Sequence, residues 1–256
     1  MRRTFLPPRT AIQCIDDAIV LSRRHFWPLL RLALIPVLAY AAIVYASYSL
    51  RLSYGIRLLS GLVWYGLYGF VEAATVAGSW DVMHGRPVDA AAIWRRVFER
   101  FFTLLFANWI RIYLIFLGLV VLIAPGLYFL AIYFGVPAVI MVEELGVGAS
   151  LKRSRSLAMG SMRGILLSIG VAWLIATIVA YFIPRILILA GIPFVSPLQV
   201  LFSFGWVVVI IPFRSALAAR VYLEIRVRKE GYDLQRLMGS LPDGAAPAPA
   251  WDELRP

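Results

Sequence analysis

Cysteine occurs once in this chain, at Cys14, and histidine twice, at His25 and His84. A lone thiol excludes a disulfide framework, and so few soft donors exclude a paired-cysteine or histidine-built metal site. Acids are scarce too, 14 against 25 Lys and Arg, which leaves a formal net charge of +11. Charged residues of both signs reach only 15%, well below the roughly 25% of an average soluble domain. With 61% hydrophobic residues, the chain cannot hide its apolar side chains in one water-soluble core. It reads as an integral membrane protein, and its length leaves room for about six spans and no large extramembrane domain. The basic residues abut apolar runs instead of forming a soluble basic domain. Anionic phospholipid, not nucleic acid, is therefore the expected counterpart of the charge.

Catalytic signatures are missing as well. There is no His-Glu-x-x-His, no Gly-x-Ser-x-Gly and no aspartyl pair within an apolar run, and both histidines flank such runs. Glu143-Glu144 is similar to the paired glutamates of prenyl-protein-protease-like membrane enzymes. However, the position where those carry an arginine is Gly148 here, and no histidine follows. The chain is expected to be no enzyme and to carry no cofactor. No cleavable signal peptide is expected either, because Arg2 and Arg3 are followed by Pro7-Pro8 and then by a polar segment with Asp16 and Asp17.

What fills the chain is long apolar runs, which place spans at about 26–50, 58–79, 103–123, 126–142, 165–183 and 198–219. Between them lie shorter segments with helical periodicity. Thr10 and Gln13 have the spacing of a capping box, opening a helix with Ile12, Ile15 and Ile19 at the helical period. Trp94, Phe98, Phe101 and Leu105 line one face of a second, with Arg95, Arg96, Glu99 and Arg100 around the other, and it runs without a breaker into the third span. In SLKRSRSL, Leu151, Ser154 and Leu157 share a face flanked by Lys152, Arg153 and Arg155. Pro125-Gly126 reads as the turn after the third span, DVMHGRP at 81–87 as another, and Pro184 as the end of the fifth span. Arg185 to Pro197 reads as an apolar connection, and Pro212 as a kink. The expected architecture is an all-α membrane protein, three helical hairpins each preceded by an amphipathic interfacial helix. It occupies 1–239 as one domain, with 240–256 a disordered tail.

Charge distribution orients this arrangement. Five Lys and Arg fall before the first span, four in 79–108, four in 143–163 and seven after Pro212, while Arg51, Arg57 and Arg185 alone fall on the other side. Arg31 and Arg111 lie near the first-side ends of their spans. That asymmetry puts both termini in the cytoplasm and the chain in a bacterial cytoplasmic membrane.

Two groups of residues are candidates for function. Glu72 interrupts an apolar run, and an acid at mid-helix costs about 2.5–3.5 kcal/mol on insertion scales unless it is compensated. Arg111 is its natural partner and Arg31 the other. Such a pair is either a static structural ion pair or part of a proton or cation relay. The second group is Lys152, Arg153, Arg155 and Arg163, which either bind acidic head groups or simply obey the positive-inside rule.

The Pro125-Gly126 pair, Pro137 followed by Glu143, the LKRSRSL segment with Arg153-Ser154 and Leu157 to Gly160, and the closing RVRKEGYDL from Arg226 to Leu234 together resemble the membrane domain associated with glycerophosphoryl diester phosphodiesterases. The resemblance covers roughly 125–234, and the first half of the chain matches only in layout. It implies a membrane-embedded module linked to lipid or envelope metabolism. It does not imply phosphodiesterase activity, since no catalytic domain accompanies these residues. Two functions stay open: a scaffold that binds anionic phospholipids or a membrane or cytoplasmic protein partner, and a transporter with a polar path past Glu72 and Arg111. A lipid-sized or water-filled cavity reaching Glu72 would favour the second, and a closed bundle the first.

Overall fold

The computed structural model describes residues 10–189, 191 and 197–231. Among them the chain forms α1 (Ala11–Arg24), α2 (Phe26–Ser49), α3 (Tyr54–Met83), α4 (Ala90–Glu99), α5 (Phe101–Val121), α6 (Ile123–Ile132), α7 (Val136–Val142), α8 (Val147–Ala158), α9 (Met162–Leu189) and α10 (Pro197–Glu230), with no strand. Phe26–Ser49, Phe101–Val121 and Ile123–Val142 are long and apolar enough to cross a membrane, and α8 with the first part of α9 passes the same test as a pair bent by 102°. The all-helical, apolar chain is thus compatible with a membrane protein. α3 is as long as these, but Glu72 and its glycines, tyrosines and tryptophan dilute its hydropathy.

Helix starts follow local chemistry. Thr10 and Gln13 form the capping box, the Thr10 side chain accepting from the Gln13 amide at 3.3 Å and the Thr10 amide donating to Gln13 Oε1 at 2.8 Å. Asp89 caps α4 by accepting from the amides of Ala91 and Ala92. Gly85, at φ +72, makes the turn between α3 and α4.

Helix ends depart from expectation in four places, each for a stated reason. The turn after α5 falls at Leu122, whose backbone is extended, and not at Pro125-Gly126. Proline fits the first turn of a helix because its missing N–H has no partner to lose there, so Pro125 belongs to α6. Gly126 is instead the point where α6 crosses α5: a Cβ there would lie 2.8 Å from the Leu119 amide nitrogen. The second segment does not run unbroken into the third span. It stops at Arg100, whose guanidinium reaches the Glu144 carbonyl at 2.8 Å and its carboxylate at 2.6 Å. The stretch 126–142 is interrupted at 133–135, since Pro137 cannot donate to the helix before it. The Ile132 carbonyl left open by that break accepts from Ser154 Oγ of α8 at 2.7 Å. Finally, α9 continues through Pro184 to Leu189; in an apolar surrounding, helix is the conformation that keeps most backbone groups bonded. That takes the first part of the 185–197 connection into α9, while 192–196 and the tail at 240–256 lie outside the described residues.

α3 and α10 are the central helices. Thr75 meets Ser215 and Trp80 meets Tyr222, so the two run in the same direction. From Phe70 to Asp81 every residue of α3 except Glu72 is buried. α2, α5 and α9 surround this pair and expose many large apolar side chains, such as Ile35, Phe116 and Trp173. α1 packs through Cys14, Ile15, Ala18 and Ser22, leaving Ile12 65% exposed and Ile19 outside too. Small side chains let α1 approach α10, where Arg220 holds Asp17 at 2.9 Å. α4 likewise buries Ile93 and Val97 and leaves Phe98 exposed.

Candidate functional site

Two polar clusters sit at different depths of the bundle. The inner one begins with the glycines of α3. A Cβ at Gly69 would lie 2.5 Å from Asn108 Cγ, so only glycine lets α5 come this close. Asn108 donates to the Gly66 carbonyl at 3.2 Å, and its Oδ1 accepts from Arg111 at 2.8 Å. Arg111 in turn donates to Glu72 Oε2 at 2.6 Å, with side chains only 12% and 14% exposed. One helical turn away on α3, Tyr68 Oη accepts from Arg214 of α10 at 2.8 Å. Ser215 and Thr75 join hydroxyls at 2.6 Å, and Thr75 donates onward to the Val71 carbonyl.

Tyr68, Glu72, Arg214 and Ser215 line a cavity of about 40 Å³, bounded on the other side by Phe134, Ile169 and Trp173. It has room for about three waters. Chemically it can hold hydrated charge, but not a lipid or a drug-sized solute. Arg31 is exposed on α2, and it is Arg111 that reaches the carboxylate. Arg214, Tyr68 and Asn108 were not anticipated from sequence. Arg214 counts by sequence among the basic residues after Pro212 on the cytoplasmic side, yet it lies on the buried stretch of α10. The one available signal was its place two residues beyond Pro212, inside an otherwise apolar run.

The outer cluster joins the α7–α8 corner to the end of α10. Arg153 donates to both carboxylate oxygens of Glu143, at 2.7 and 3.1 Å, and pairs with Glu230 at 2.5 Å. Arg226 pairs with Glu230 at 3.1 Å, and Tyr222 donates to Glu143 Oε1 at 2.5 Å. Hydrogen bonds to Glu143 hold the Arg153 guanidinium above its ordinary pKa. Burial, then the bond to Glu143, raises the Tyr222 phenol. Burial works against the Glu230 carboxylate, but bonds from Arg153 and Arg226 outweigh it and keep its pKa below the usual glutamate value. Lys229 fastens the same corner, donating to the carbonyls of Ser156 and Met159 at the end of α8.

Of the basic residues singled out on the α8 segment, Arg153 is therefore half-buried in ion pairs, whereas Lys152, Arg155 and Arg163 are exposed. Among the described residues no three carboxylates, thiols or imidazoles come together as metal ligands would. Fold and sites define an all-helical protein with apolar helices of membrane-crossing length, a paired polar interior and a basic corner. Comparison with family models, with curated proteins and with solved structures gives no match.

Proposed function

We propose that this chain is a non-enzymatic module of a bacterial cytoplasmic membrane. In this reading it crosses the bilayer about six times, as three hairpins with both termini inside. Interfacial α1, α4 and α8 lie against the inner leaflet, where the module gathers anionic phospholipids or a protein partner. The observation that carries the reading is a contrast of commitment. Inside the bundle Glu72 is taken up by Arg111, and Arg214 by the Tyr68 hydroxyl, around a few-water space, while Lys152, Arg155 and Arg163 project from the α8–α9 corner. At about 1 kcal/mol for each basic residue near an anionic leaflet, three such residues bias the corner toward acidic lipid by about 3 kcal/mol. The likeness of residues 125–234 to a phosphodiesterase-associated membrane domain supports a link to lipid or envelope metabolism. Common direction of α3 and α10 agrees with the three crossings, an odd number, that six spans put between them.

Native mass spectrometry of the detergent-released protein tests the reading. Retained phosphatidylglycerol or a retained protein subunit is expected, with lipid retention falling in the Lys152→Gln/Arg155→Gln variant. Release free of both, or equal retention of phosphatidylethanolamine, would overturn it. A second reading, transport of protons or small cations past Glu72, is favoured by the small cavity that Glu72 and Arg214 line together. It requires that Glu72→Gln abolish a flux into proteoliposomes without loss of folded protein.

A further inference from the structure

A trench of about 630 Å³ opens between the start of α1, the start of α9 and the last turns of α10. On α9 its wall is Ser161, Gly164, Ile165 and Ser168, and on α10 it is Val221, Glu224, Ile225 and Arg228. Both sets recur at three, four and seven residues, so each is one helix face turned to the trench. The two helices run in opposite directions here, Ser161 lying toward Arg228 and Ser168 toward Val221. The trench thus descends about 10 Å along α9 from the basic corner into the bundle.

Its two ends are chemically distinct. At the outer end, Gly160 at φ +85 turns the chain into α9, and Arg163 is exposed at the rim. The first intrahelical bond here is from the Ile165 amide to the Ser161 carbonyl. The amides of Met162, Arg163 and Gly164 precede it and have no helical acceptor. No Cβ at Gly160 or Gly164 would meet another atom, so a group can approach the backbone there. At the inner end, Ser168 is 1% exposed, and its hydroxyl is buried with no hydrogen-bond partner. Other buried helical hydroxyls behave differently: Ser22, Ser47, Ser79, Ser150 and Ser215 each bond a carbonyl three or four residues back. A buried hydroxyl left alone is costly, and a site built for a ligand is one of the few reasons to keep it. The facing wall carries Glu224, but its carboxylate is held by Arg228 at 2.5 Å, which leaves the rim net positive through Arg163.

We infer that this trench is a binding site for a phosphate-bearing ligand, its phosphate at Arg163 and the first amides of α9, and a second polar group of the ligand meeting Ser168. Anions at helix N-termini are favoured by the unpaired amides and the helix dipole together. The inference deepens the reading of the basic corner and rests on it only for a lipid as the source of the phosphate; a soluble phosphate compound has the same recognising chemistry.

The test uses the full chain in neutral detergent, with dihexanoyl phosphatidylglycerol and inorganic phosphate as separate probes and calorimetry as readout. One equivalent of probe is expected to bind. Binding of the phosphatidylglycerol alone identifies a lipid source, and binding of both probes shows that free phosphate suffices. Arg163→Gln is expected to weaken binding about tenfold or more, as loss of a charge-assisted bond does. Ser168→Ala should weaken phosphatidylglycerol binding several-fold, while the probe-free protein melts at the same temperature or higher, because an orphaned hydroxyl has been removed. Failure of both probes to bind the wild type overturns the site, as does wild-type affinity in both variants. If Lys152→Gln/Arg155→Gln loses lipid in the mass spectrometer while the trench variants behave as wild type, the trench fails and the lipid-gathering reading stands. The reverse pattern keeps the trench and removes that reading.

Discussion

The inner and outer polar clusters are built from the same parts, carboxylates, guanidiniums and a tyrosine, yet they hold the molecule in different ways. In the inner cluster Glu72 meets Arg111 where Gly66 and Gly69 of α3 let α5 approach, beside a cavity with room for only a few waters. Removing either partner leaves a charge stranded in apolar surroundings. In the outer cluster Glu143, Arg153, Tyr222, Arg226 and Glu230 share their bonds, so a charged group that loses one partner keeps another. Depth and redundancy, more than the number of ion pairs, decide what each is worth.

The sharpest way to break this contrast is at the inner pair. Glu72→Gln or Arg111→Met is expected to destabilise by about 3–5 kcal/mol, the range seen when one partner of a buried pair is removed. The readout is the amount of monodisperse protein after detergent extraction, together with its melting temperature. The double variant should recover much of the loss, since no charge is then stranded. Unchanged folding of Glu72→Gln would sink the static pair and revive transport. Tyr222→Phe probes the outer cluster, with an expected loss of about 1 kcal/mol; Arg153 still satisfies Glu143. A loss as large as that of the inner variants would show that the outer cluster is not redundant.

The smallest effect is the response to pH. Glu230 has a depressed pKa, so its contribution is complete above the ordinary value of 4.5 and fades as pH falls below it. The Tyr222 phenol is shifted upward, so its contribution is complete below the ordinary value of 10.0 and fades as pH rises beyond it. The melting temperature reports both. It should stay flat between those two values and fall outside them, and a transition near neutrality would mean that another group controls the corner.

Much of the helical layout was legible in advance. Apolar runs located the long helices, the Thr10 and Gln13 spacing located the cap of α1, and the cost of a lone acid in an apolar run pointed from Glu72 to Arg111. Less legible were the breaks. Nothing at Arg100 announces an interruption, because its cause is Glu144, 44 residues away. The turn at Leu122 is set by how closely Gly118 and Gly126 allow two helices to approach. Arg153 looked like its neighbours Lys152 and Arg155, and only the folding of α8 back on Glu143 and the return of α10 with Glu230 drew it into ion pairs.

By itself the sequence determined that the chain is helical, that its apolar helices reach membrane-crossing length and that its basic residues gather at particular connections. Hydropathy and charge are local quantities, and they survive any packing of the helices. Tertiary structure alone decided which faces are buried, that α3 and α10 run together at the centre, and that Arg214, Tyr68 and Asn108 surround Glu72. A helix apolar on every side has no marked face to read. Its orientation is settled only when small residues find a neighbour close enough and buried polar groups find each other.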